Sequence, residues 1–231
     1  MKYGTLRTYT PQDDVWVMLI IVACFLALVL LIGHQRKYIG SLSRKFFMPT
    51  NRQEKPAQKT TGEKFLPALT AITLVCSSGL ILFAYANINY NLEQSPFYIW
   101  SVLLLALGAF GGYYLLRWLL YSFVNWVFFD RHQRQQWKEG FGLLMIYESV
   151  VIFVMMCTSM FFHLDLQEML LLVAICYGLL RLAVIPYTKR IFFPDFYGLL
   201  HIITYLCTLE ILPMLALYKF CMYWGSLLVA G

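Results

Sequence analysis

Charge is what this sequence has least of. Only 13% of its 231 residues are charged, against 60% hydrophobic, whereas soluble domains carry about 25% charged residues. That scarcity excludes an ordinary soluble domain and describes a chain whose main solvent is lipid. Alternating apolar and polar runs of about ten residues, the mark of a membrane β-barrel, are missing as well. The sequence holds no Walker motif, no GxSxG elbow, no GxGxxG fingerprint and no HExxH, so the recognised nucleotide-binding, hydrolase and zinc-protease patterns are excluded. Its six cysteines include no CxxC, and its four histidines fall at differing depths. The cysteines read as packing thiols. No catalytic residue, no metal site and no cofactor is expected.

What is present is a series of long apolar runs. Stretches of 18 or more apolar residues signal membrane-spanning helices. Six are found, at Val15 to Gly33, Phe65 to Ala86, Phe97 to Leu120, Phe141 to Phe162, Met169 to Pro186 and Phe196 to Tyr218. The expected fold is all-α: a polytopic transmembrane bundle of about six spans with one or two interfacial amphipathic helices. Its parts are a short external tail over 1–14, a first transmembrane helix over 15–33, a basic cytoplasmic segment over 34–64, and a five-helix bundle over 65–231. Within the basic segment, Tyr38, Ile39, Leu42, Phe46 and Phe47 recur at helical spacing among Arg36, Lys37, Arg44 and Lys45, which predicts a short interfacial helix. The stretch Met48 to Gly62 has no apolar period and reads as a linker.

Basic residues alternate between connections. Eight Lys and Arg lie between His34 and Lys64, and Arg131, Arg134, Lys138, Lys189 and Arg190 occupy later connections, while Asn87 to Ser95 and His163 to Glu168 hold acids only. By the positive-inside rule the basic connections are cytoplasmic and both termini are external. The net charge of +6 is then topological: it favours anionic lipid headgroups, and no nucleic-acid partner is expected. Asp13 and Asp14 precede the first apolar run and its basic flank follows, the reverse of a secretory signal, so this helix is read as retained. The third run continues past Arg117-Trp118 to Phe129, about 50 Å as one helix. The preferred reading is a bend near Arg117, with the arginine snorkelling and Trp118, Tyr121, Trp126 and Phe129 lying in the interface.

Gly108-Ala-Phe-Gly-Gly112 is a GxxxG match in the third span and predicts that another helix packs closely there. The remaining candidates are ionisable groups inside apolar runs, which are costly there by default. Glu148 lies about 10 Å from the inner end of its span, and Arg181 on the next span reaches a similar depth, so the two are expected to pair. Glu210 lies about 20 Å from the inner end of the sixth span, beyond reach of that pair. Its expected company is Ser77, Ser78, Thr158 and Tyr177, to one of which a protonated Glu210 would donate. Pro213 removes an amide and frees the Leu209 carbonyl beside Glu210. Tyr205, Thr208, Glu210 and Pro213 are therefore the candidates for handling a proton or ligand. His201, about 900° away around the same helix, faces the other side.

The string Tyr205-Leu-Cys-Thr-Leu-Glu-Ile-Leu-Pro213, followed by Tyr218-Lys219, resembles the C-terminal signature of a family of Bacteroidota integral membrane proteins, domain of unknown function 4271. The basic linker after the first helix and the long aromatic third segment are similar to that family too. In the fourth span the chain departs from it, with Tyr147-Glu148-Ser149 where a Gly/Pro-containing stretch is usual. The resemblance implies the inner membrane of a diderm bacterium and no reaction. The functional expectation is a non-enzymatic accessory or assembly subunit of a cell-envelope complex, whose partners are membrane lipids and either other membrane subunits or further copies of itself. The alternative is a small proton-coupled transporter or channel that uses Glu210 near the Pro213 bend.

Overall fold

The structure, a computed structural model, describes residues 14–34, 36, 40, 66–90, 96–128, 131–162, 168, 171–172, 175–179 and 211–230. Five long helices are defined: α1 (Val15–His34), α2 (Leu66–Tyr90), α3 (Pro96–Phe128), α4 (Arg131–Phe161) and α5 (Leu212–Ala230). Among the described residues there is no strand. Four stretches are long and apolar enough to cross a membrane: Val15–Gly33, Pro67–Asn87, Ile99–Val124 and Gly140–Phe161. These correspond to the first four expected spans. Most of the fifth and sixth, Met169 to Pro186 and Phe196 to Tyr218, lies outside the described residues, as do most of the expected interfacial helix and the linker after it.

Helix starts follow from local chemistry. Asp14 caps α1, its carboxylate accepting from the Trp16 amide at 3.0 Å and its carbonyl from the Met18 amide at 3.1 Å, which satisfies donors that have no partner in a first turn. Pro96 opens α3 and Pro67 stands second in α2, positions where a missing amide forfeits no helical bond.

Lipid tails are as apolar as leucine, so the helices of a membrane bundle gain little by hiding apolar surface from one another and rely on close contact and hydrogen bonds. Accordingly, α2 is the central helix, packed against α1, α3 and α4. It carries a buried seam of small polar residues, Thr70, Thr73, Ser77 and Ser78. Thr70 and Thr73 donate their hydroxyls back to the carbonyls of Pro67 and Leu69 at 2.9 and 2.8 Å, leaving their methyl groups for packing. Next to the seam, a methyl group on Gly79 would sit 2.7 Å from Leu107 Cδ2 and 3.2 Å from Leu107 Cα. The glycine is what lets α2 and α3 cross this closely. Toward the other end Val17, Ile21, Leu80, Phe83, Val102, Leu103 and Met156 form a core drawn from four helices. Trp16 meets Trp100 edge to face at 6.2 Å and Phe25 lies 6.2 Å from Phe153, tying α1 to α3 and α4.

No break in the helix marks Arg117, where a bend is expected. α3 is one helix of 33 residues and runs unbroken through Arg117, and α4, at 31 residues, begins ahead of its apolar run. The reason lies on the inner face: Tyr121 is buried and stacks 5.0 Å from Phe141 of α4. The aromatic stretch therefore divides, with Tyr121 inward and Trp118, Phe123 and Trp126 outward.

Candidate functional site

Arg117 does not snorkel. It is 2% exposed, and its Nη1 donates to both carboxylate oxygens of Glu148, itself 3% exposed, at 3.1 and 3.2 Å. The two residues lie seven and eight positions inside the ends of the Ile99–Val124 and Gly140–Phe161 spans that approach the short 129–130 connection. That places both charges about 10–12 Å along the span. The guanidinium carbon also sits 5.3 Å from the Phe141 ring centre and 5.8 Å from that of Tyr121, within range of cation–π attraction. The Met145 sulfur is 4.0 Å from Nη1. A charge-assisted pair enclosed by two rings and a thioether is neutral as a whole, which is the form in which ionisable groups persist in hydrocarbon.

The polar cluster extends along α3. Tyr114 shares a hydrogen bond with Ser78 of α2 at 3.3 Å, and Tyr113 shares one with Tyr177. The rings of Tyr113 and Tyr114 meet edge to face at 5.0 Å. Through residues 113, 114 and 117, α3 is thus bonded to α2, to α4 and to the helical segment 175–179. Its chemistry as arranged is to hold helices in register. Among the described residues, no three His, Cys, Asp or Glu side chains converge so as to hold a metal ion.

On its other side α3 borders an apolar groove of about 380 Å³, whose walls include Gly108, Ala109 and Gly112 of α3 and Pro213, Ala216 and Phe220 of α5. Gly108 and Gly112, where a close helix contact is expected, face α5 across this groove. Among the described residues, a methyl group at either would meet nothing within 4 Å. Among the described residues, the glycine whose replacement would meet a neighbouring backbone is Gly79, which no motif singled out. Pro213 is buried in the first turn of α5 as described, and Ile211, which precedes that helix, has π-helical geometry.

Sequence and structure agree unevenly on the candidate residues. Glu148 is in an ion pair, with Arg117 as its partner, while Arg181 lies outside the described residues. Tyr205, Thr208 and Glu210 lie outside them also. Of the groups expected around Glu210, Ser78 is bonded to Tyr114, Tyr177 to Tyr113, and Thr158 to the carbonyl of Val154 at 2.8 Å. Arg117 was legible as a partner for Glu148: counted from Val124 instead of a bend, its depth equals that of Glu148. The Tyr114–Ser78 bond had no signal in spacing.

Long apolar helices bundled around a neutralised ion pair are the make-up of a polytopic α-helical membrane protein. No curated protein and no solved structure is detectably similar to this chain. Residues 17–221 match the family described as Domain of unknown function (DUF4271), and the chain belongs to that family.

Proposed function

We propose that this protein is a non-enzymatic accessory or assembly subunit of a membrane complex in the cell envelope. In this reading it crosses the inner membrane six times, the fifth and sixth spans being Met169 to Pro186 and Phe196 to Tyr218, with basic connections in the cytoplasm and both termini in the periplasm. The observation that carries the proposal is the division of labour across α3. Its inner face, at Tyr114 and Arg117, is bonded to α2 and α4, while Gly108 and Gly112 open onto an apolar groove. Small residues on an outward helix face are the means by which membrane helices recognise one another. The charges stabilise the bundle and the groove receives a helix of a partner subunit.

The test is crosslinking in native membranes followed by purification in mild detergent. A partner recovered in fixed stoichiometry supports the proposal, and a protein that is monomeric in both measurements overturns it.

A further inference from the structure

Lys219 of α5 is an exposed cation that no hydrogen bond or ion pair engages among the described residues. In the sequence it stands one residue past the sixth apolar run, where a lysine would mark the membrane edge. The packing of α5 on α3 places it deeper. Leu217 rests against the cluster of Leu74, Tyr113 and Tyr114, and Trp224 against the core that holds Ile99 and Val102. Lys219, between them, is therefore level with the glycine wall of the groove. Even Gly108, the shallower of its two glycines, lies nine residues inside the Ile99 end of the Ile99–Val124 span, about 13 Å. A lysine stem of five bonds, each about 1.5 Å, extends roughly 6 Å, so snorkelling covers about half of that depth. A charge held there is costly unless an anion meets it. Helix phase gives the side from which that anion comes. Pro213, Leu217 and Cys221, at successive turns, are buried or half-buried, whereas Ala216 and Phe220 are exposed along the groove. Lys219 stands about 60° round from Ala216 on the same edge of α5, beside an occupant of the groove.

We infer that the partner helix received by the groove carries an aspartate or glutamate, and that this carboxylate pairs with Lys219 inside the bilayer. The inference rests on the reading of the groove as a partner-subunit site and adds the chemistry of that partner. Gly108 and Gly112 admit the incoming helix, and the ion pair sets its register along α5. Close contact and a bond between polar groups are the two means by which membrane helices choose one another. Each charge neutralises the other, as Arg117 and Glu148 do within the chain.

The full-length chain in native membranes is treated with dicyclohexylcarbodiimide, a lipid-soluble reagent that activates carboxyl groups and joins them directly to an adjacent amine. Digestion of the original chain should yield an amide between Lys219 and an aspartate or glutamate from a membrane helix of another polypeptide. Recovery of that polypeptide should fall about tenfold with Lys219→Gln and return with Lys219→Arg, both variants keeping the melting temperature because the side chain is exposed. No amide, with equal recovery from Lys219→Gln, is the result expected of a lysine that answers a lipid phosphate, and it overturns the inference. An amide to an acid of this chain or of a second copy overturns it too. If Gly108→Leu/Gly112→Leu still loses the partner in those cases, the groove reading stands and only the ion pair falls. If no partner is recovered at all, both fall. The amide is read in the original chain, so a misfolded variant leaves the decision intact.

Discussion

Arg117 and Glu148 meet across the α3–α4 hairpin at 3.1 Å, both almost wholly buried. Each would be an isolated charge in hydrocarbon without the other. Their pairing explains two things at once: why α3 tolerates an arginine within its span, and why the helix runs on without a break where a snorkelling side chain would have drawn it to the interface.

The first prediction concerns that pair. Removing one partner of a buried ion pair costs about 3–5 kcal/mol, whereas replacing both by apolar groups is often close to neutral. Arg117→Leu and Glu148→Leu should therefore each destabilise the protein strongly, and the double variant should recover most of the loss. Reversible unfolding in mixed micelles, analysed as a double-mutant cycle, reads the coupling.

A second prediction separates the glycines. Gly79→Val should destabilise by about 1–3 kcal/mol, the usual range for overpacking, because its side chain meets the backbone of Leu107. Gly108→Val and Gly112→Val should leave the melting temperature almost unchanged, since their methyl groups meet nothing within 4 Å among the described residues. Thermal unfolding of the three variants in one detergent makes the comparison.

Tyr114→Phe removes the hydroxyl shared with Ser78. Hydrogen bonds between membrane helices average about 0.6 kcal/mol, so a small loss is expected, well below that for either member of the ion pair. The same unfolding assay ranks them.

How far these features could be read from sequence depends on whether they are local. Four spans were legible because apolar length is written in consecutive residues. The length of α3 was legible too, but its shape was not. Whether an arginine bends a helix to reach water depends on what stands opposite, and Tyr121, Phe141 and Glu148 are brought there only by the hairpin. The role of Gly79 was hidden for the same reason. GxxxG is visible as spacing at Gly108 and Gly112, whereas the need for glycine at residue 79 exists only where Leu107 crosses it.

Orientation gives a fourth structural prediction. With basic connections in the cytoplasm, a cysteine replacing Asp130 should be labelled by a membrane-impermeant maleimide only from the cytoplasmic side, and one replacing Asn91 only from the periplasmic side. Labelling of both from one side would contradict the six-span arrangement.

Glu210→Gln distinguishes a subunit from a proton-coupled transporter. The protein should show no proton flux in reconstituted vesicles with either residue, and recovery of the partner should be unchanged. Flux that is present in the original protein and lost in the variant would favour the transporter.

The central claim is that α3 serves the bundle on one face and a partner on the other, and partner recovery with a blocked groove tests it most directly. Protein tagged at its C-terminus is crosslinked in native membranes, purified and quantified beside the Gly108→Leu/Gly112→Leu double variant. The account predicts one partner in fixed stoichiometry with the original chain, lost at least tenfold from the variant while its melting temperature is retained. Equal recovery from both, with the variant folded, would contradict it.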